Sequence, residues 1–153
     1  MVHRDGLTGL LNHATLMAEL EGAVDFSQRY GEPLAFVIFE LEGFRHLSER
    51  LGPRAGEEVL LHAAGVFRSN VRASDVIGRY GGEAFGMLLR GANASGATVL
   101  AQNLHRALGE QPARTSLGEL VRIDVRVGTA VFPRDGTTAA ELAQAADRAL
   151  RRK

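Results

Sequence analysis

Apolar positions change their period several times along the chain, and each change predicts an element. From Ala14 onward Leu16, Leu20 and Val24 recur every four residues, which predicts an amphipathic helix running to about Tyr30 and stopping at Gly31-Glu32-Pro33. The next run, LAFVIFEL from Leu34 to Leu41, is almost continuously apolar and rich in β-formers, the pattern of a central strand buried on both faces. FRHLSERLG then predicts a short helix ending at Gly52. Pro53 follows where a first helical turn tolerates it, because the N–H it lacks would have no intrahelical acceptor there. Leu60, Ala63, Ala64 and Phe67 share one face of the longer helix that this opens.

DVIGRY and AFGMLL read as two strands joined across Gly81-Gly82, a pair suited to the positive φ angles of a primed two-residue hairpin. Ala94, Ala97, Leu100, Ala101, Leu104 and Leu108 keep helical spacing and predict a third core-facing helix from about Asn93 to Gly109. Strict alternation in LVRIDVRVGTAVF predicts one or two strands, with Arg122, Asp124 and Arg126 on a solvated face and Val121, Ile123, Val125 and Val127 on the other. TAAE at 138–141 is a capping box opening a last helix through Leu142, Ala146, Ala149 and Leu150. After the leading helix the order is β-αα-ββ-α-β-α, which predicts an α+β, ferredoxin-like fold with a mostly antiparallel central sheet flanked by helices.

Composition narrows the function. A chain of 153 residues, 45% of them apolar, has the size and core of one domain. Eighteen basic residues against eighteen acidic ones leave no basic excess, so nucleic acid is not the expected partner. Without cysteine there is no disulfide framework, thiolate nucleophile or Cys-based zinc site, and metal chemistry is left to oxygen ligands or histidine. His3, His13, His46, His62 and His105 show no paired metal spacing and are expected at or near the surface. Apolar runs such as LAFVIF at 34–39 are far shorter than the roughly 20 residues of a membrane span, and the expectation is a soluble, cytoplasmic chain with no membrane segment.

RYGGEAFGML at 79–88 places an acidic residue at the expected hairpin tip. With this stretch the chain resembles a GGDEF domain, the nucleotidyl-cyclase-type palm of diguanylate cyclases, over nearly its whole length. RDGLTGLLNH is similar to the family's D-x-L-T-G-L-x-N-R opening, with Asp5, Leu7, Thr8, Gly9, Leu10 and Asn12 matching and His13 in place of arginine. ELEGFRHLSERLGPRAGEEVL has the framework of the family's D-x-D-x-F-K-x-x-N-D-x-x-G-H-x-x-G-D-x-x-L segment, and AADRAL resembles its A-D-x-A-L helix. The resemblance implies a single domain over 1–153, cut from a longer multidomain signalling protein.

In the family a carboxylate ending the first strand and acidic residues at the hairpin tip bind two Mg²⁺ or Mn²⁺ ions that organise the triphosphate of GTP, a task for hard oxygen ligands. The implied positions here are Glu40, the Leu41 carbonyl and Glu83. The signature itself reads Gly81, Gly82, Glu83, Ala84 and Phe85, and the Ala84 methyl can neither bind a metal nor take a proton. Loss of one positioned acid or base typically costs about 10²–10⁴ in rate. Guanine recognition is altered as well: Ser48 stands for an asparagine and Glu57 for an aspartate, so neither keeps the original reach. Arg45 replaces a lysine and Pro53 a histidine. The family's phosphate-contacting lysine would fall just past Lys153, with Arg151, Arg152 and Lys153 as partial stand-ins. No cofactor is expected to be required, and Mg²⁺ or Mn²⁺ only if GTP still binds.

Nine residues before Gly81 stands Arg72, followed by Asp75, the R-x-x-D of the family's inhibitory site for cyclic di-GMP. A guanidinium can fork onto a phosphate or a guanine O6/N7 edge, and a carboxylate can accept guanine N–H donors. A further arginine of that site aligns with Asn103, with Arg106 one turn along as a candidate. Away from this register an R-x-x-D is more often a solvated helix-end pair. The expectation is therefore a degenerate, catalytically inactive GGDEF domain that binds cyclic di-GMP and passes that state to a partner domain or a second copy. The alternatives are a weakly active cyclase using Glu40 and Glu83, and a nucleotide-free dimerisation or docking domain.

Overall fold

The computed structural model describes residues 3–152. Met1, Val2 and Lys153 lie outside the described residues, and with them the expected domain limits and the part assigned to Lys153. The elements are α1 (His13–Tyr30), β1 (Leu34–Leu41), α2 (Phe44–Leu51), α3 (Pro53–Ser69), β2 (Val76–Arg79), β3 (Ala84–Arg90), α4 (Ala94–Glu110), β4 (Ala113–Arg114), β5 (Leu120–Val121), β6 (Val125–Phe132) and α5 (Ala139–Arg151).

The main sheet has the order β2-β3-β1-β6, every neighbouring pair antiparallel. Strand β1 lies inside it, which is why its sequence is apolar on both sides: every residue but Glu40 is buried. Ala35, Val37 and Phe39, with Phe85, Met87 and Leu89, pack against α3 and α4. Phe67 of α3 sits 5.2 Å from the rings of both Phe39 and Phe85. The other face, carrying Leu34, Phe36, Ile38, Ala84 and Leu88, is covered by α1 and α5. This is the expected α+β arrangement. Helix α5 lies so close to β6 that a Cβ built on Gly128 would stand 2.0 Å from the Ala146 carbonyl oxygen.

The caps follow the sequence. Asn12 accepts from Thr15 N–H, Asn93 from Gly96 N–H and Thr138 from Glu141 N–H. Glu141 reaches back one residue further than a standard capping box, to the N–H and hydroxyl of Thr137.

One expectation is corrected. The hairpin between β2 and β3 is not a primed two-residue turn: residues 80–83 lie outside the strands, and neither Gly81 nor Gly82 has a positive φ. Arg79 holds the wider loop, donating from Nε to the Gly81 carbonyl at 3.2 Å and from Nη2 to the Gly82 carbonyl at 2.9 Å, while Tyr80 N–H bonds the Ala84 carbonyl at 2.8 Å. The long alternating run forms two strands, the second of its two expected outcomes. Its start, β5, pairs only with β4, a two-residue strand too short to leave a pattern, and the chain rejoins the main sheet at Val125. Arg122, Asp124 and Arg126 are nonetheless exposed, as the alternation requires. Among the described residues no helix is long and apolar enough to cross a membrane.

Candidate functional site

Glu40 and Ala84 face each other across β1 and β3, one register position from the hairpin loop. With Tyr80, Gly81, Gly82 and Glu83 they line a cavity of about 180 Å³ whose far wall is α5, through Asp147, Leu150 and Arg151. The sheet therefore does bring Glu40 to the expected tip residues. Leu41 does not line the cavity: it is buried, and its N–H bonds the Glu83 carbonyl at 2.9 Å. Phe85 is buried in the core beside Phe67.

Arg151 was expected to stand in for a phosphate-contacting lysine. It instead faces carboxylates, with Nη1 3.5 Å from Glu40 Oε1 and Nη2 3.3 Å from Asp147 Oδ1. Tyr80 is half-buried against Phe36, and burial, then the Asp147 charge, pushes its phenol above the ordinary tyrosine range. Among the described residues no three Asp, Glu, His or Cys side chains are grouped so as to hold a metal ion.

Arg45, Ser48 and Glu57 are not brought to this cavity. Arg45 and Glu57 are exposed on α2 and α3, and Ser48 packs where the two helices meet, its Oγ 2.8 Å from the place a Gly56 Cβ would take. Beside Glu57, Glu58 accepts from Ser116 N–H at 3.0 Å.

Arg72 and Asp75 stand together in the loop between α3 and β2, on the wall of a second cavity of about 460 Å³, within the range of small-molecule sites. Leu89, Val99 and Leu100 give it an apolar side, and Asn70, Asn93 and Asn103 its polar rim. Asp75 Oδ1 accepts from Arg72 Nη2 at 2.9 Å, and Oδ2 accepts from Arg72 Nε at 3.3 Å and from Arg72 N–H at 3.0 Å. The hydrogen bond and the charge of Asp75 both strengthen the hold of Arg72 on its proton. Arg106 is not a wall residue but donates to Asn103 Oδ1 at 2.6 Å, so its guanidinium sits at the rim.

Sequence reasoning assigned no role to Asp5 and Arg79, which tie the N-terminal segment to the tip. Asp5 Oδ2 accepts from Thr8 N–H, from the Thr8 hydroxyl and from Arg79 Nη1, the last at 2.9 Å. Asp5 lies in RDGLTGLLNH and Arg79 in RYGGEAFGML, yet they are 74 positions apart and nothing local pairs them. Arg151 had a local signal, its spacing of four from Asp147 on one helix.

An α+β palm with a loop-bearing hairpin at the end of its central strand is the class these features define. The diguanylate cyclase GGDEF domain family matches residues 2–153. The chain belongs to this family. It is 36% identical over 146 residues to MucR of Pseudomonas aeruginosa, described as a bifunctional diguanylate cyclase/cyclic di-GMP phosphodiesterase, covering 95% of this chain and 21% of MucR. The solved GGDEF domain of TpbB from Pseudomonas aeruginosa superposes with a TM-score of 0.92 at 33% identity, covering 97% of this chain and 86% of that one. The GGDEF domain of DgcB from Caulobacter crescentus, solved in complex with c-di-GMP, shares the fold with a TM-score of 0.91 at 24% identity over 98% of this chain and 88% of its own. The chain spans about a fifth of the length of MucR and a third of that of the diguanylate cyclase TpbB.

Proposed function

We propose that this chain is a catalytically eroded GGDEF domain, part of a longer signalling protein, that binds cyclic di-GMP at the cavity of Arg72 and Asp75 and relays that state to a partner domain or a second copy. The observation that carries the reading is the contrast between the tip cavity and the Arg72 cavity. The tip offers about 180 Å³ and an alanine opposite Glu40, whereas the Arg72 cavity offers about 460 Å³, an apolar wall and an arginine held in place. Since the Asp75 side chain is 1% exposed and accepts three hydrogen bonds from Arg72, its part is to fix the guanidinium rather than to meet guanine itself. Arg72 Nη1 has no hydrogen-bond partner among the described residues, so it is the donor left for a phosphate or a guanine edge. Relatives described as diguanylate cyclases, and a domain of this fold with c-di-GMP bound, support the ligand class.

Glu40 and Glu83 share the tip cavity, and that favours the second reading, a weakly active cyclase joining two GTP into cyclic di-GMP with release of two pyrophosphates. Calorimetric titration of GTP and cyclic di-GMP, with a product assay in Mg²⁺ and in Mn²⁺, separates the two. Cyclic di-GMP binding without turnover is the expected result. Turnover at a rate ordinary for the family overturns it, and binding of neither nucleotide leaves a docking domain.

A further inference from the structure

The tip cavity has the wrong donor set for the divalent cations that the family implies. Of its three carboxylates, Glu83 lies in the hairpin loop, Glu40 faces Ala84 across the sheet, and Asp147 projects from α5 with Arg151 beside it. No three acidic or histidine side chains are grouped to hold an ion among the described residues. What stands beside Glu40 instead is a guanidinium. Arg151 Nη1 is 3.5 Å from Glu40 Oε1, the Glu40 side chain is only 19% exposed, and Asp147 holds the other end of the same guanidinium.

We propose that Arg151 is the resident counter-ion of Glu40, and that it keeps a divalent cation from binding tightly at the tip even when a second tip carboxylate is supplied. The proposal rests on the reading of the tip as eroded and adds a second lesion, on a different element from Ala84. A partly buried carboxylate needs a positive neighbour, and either a metal or an arginine can supply it. A dication entering beside Glu40 either displaces the guanidinium, which breaks the Glu40 pair, or shares the site with it, which sets two positive groups close together. Arg151 is 55% exposed and can swing away. Its effect is therefore bounded by what exposed pairs contribute, about fivefold in metal affinity.

The test is Mn²⁺ binding to the full chain, read from the electron paramagnetic resonance of the free ion, in the parent, Ala84→Glu, Ala84→Glu/Arg151→Gln and that double variant with Glu40→Gln added. The double variant is expected to bind Mn²⁺ more tightly than Ala84→Glu by a factor of about two to five, and Glu40→Gln to abolish the gain. A double variant no tighter than Ala84→Glu overturns the proposal, as does a gain that survives Glu40→Gln. Should Ala84→Glu fail to fold, Arg151→Gln and Arg151→Lys in the parent background decide the same question. Only Gln should raise Mn²⁺ affinity, because Lys keeps the charge, and equal behaviour of the two sinks the idea. Cyclic di-GMP titration of the same variants should be unchanged from the parent, so a failure of the receptor reading would appear there and not in the Mn²⁺ data.

Discussion

The Asp75 side chain is almost wholly buried, 1% exposed, and both its oxygens accept from Arg72, whose own side chain is 61% exposed. The pair is thus asymmetric: a hidden carboxylate holds out a guanidinium. Arg72→Ala is expected to weaken cyclic di-GMP at least tenfold in calorimetry, since a charge-assisted bond to a phosphate or guanine is worth about 1.5–3 kcal/mol. It should also lower stability by about 1–2 kcal/mol, because Asp75 is left buried with only a backbone N–H. Asp75→Asn should weaken binding less, by loosening Arg72 while leaving it present. Equal affinity of Arg72→Ala and the parent would remove the receptor reading.

Acid should unfold the domain through Asp5 and Asp135. Burial works against the Asp5 charge, but hydrogen bonds from Thr8 and the charge and bond of Arg79 outweigh it, and the carboxyl sits below the ordinary aspartate range. Asp135 is lowered by the Arg134 hydrogen bond against burial, with help from Val131 N–H and the Arg134 and Arg152 charges. Groups whose folded values are depressed contribute fully above the unfolded aspartate value of about 3.9, and the contribution is lost as pH falls below it through the folded values. The melting temperature should therefore drop below about pH 4. Asp5→Asn should start lower at pH 7 and show a shallower fall.

Much of this was readable because local pattern and global role coincide. LAFVIFEL is apolar on both faces since β1 is covered on both faces, and Asn93 and Thr138 cap where their spacing to the apolar stripes says they must. Glu40 and Glu83 were locatable because a strand end and a hairpin loop are local features. The hairpin geometry was not, because a side chain outside the turn, Arg79, sets it through two carbonyls. Nor was the engagement of Glu40 by Arg151, which depends on how α5 crosses the sheet, a relation between residues 111 positions apart. The burial of Asp75 is of the same kind: R-x-x-D shows the pair and not which partner the core hides.

Gly128→Ala should be among the most damaging single substitutions. Its Cβ would meet the Ala146 carbonyl oxygen at 2.0 Å and Leu150 N at 2.5 Å, both backbone, so no side chain can turn aside and α5 must move off β6. Overpacking costs about 1–3 kcal/mol where neighbours can adjust, and the loss here should reach about 3 kcal/mol or more in urea unfolding. A stable Gly128→Ala domain would mean that α5 docks otherwise than described.

GTP should bind weakly. At the guanine positions that the resemblance implies, Ser48 is shorter and Glu57 longer than the family's residues, and with an unpaired buried polar group costing about 1–3 kcal/mol, two such mismatches should weaken binding by roughly 10²-fold or more. A crystal soaked with GTP and Mg²⁺ that showed guanine held by both residues would contradict this and favour a GTP-sensing role.

The parent chain should make no detectable cyclic di-GMP, and Ala84→Glu should restore only a little. Ala84 is 6% exposed and lies directly across the sheet from Glu40, so a glutamate there sets two carboxylates side by side. Like charges in that relation destabilise a strand pair, by up to about 1 kcal/mol, and the variant should melt below the parent in the absence of metal. Added Mn²⁺ should recover part of that loss, because an ion that binds only the folded state stabilises it by mass action. Activity should stay low even so, since Ser48 and Glu57 are untouched by the change and Arg151 still faces Glu40. The measurement is product formation from GTP in Mn²⁺ beside the melting curve. Recovery of a rate ordinary for the family by Ala84→Glu alone would show that the alanine was the single lesion, and that neither the guanine contacts nor Arg151 matter to the chemistry.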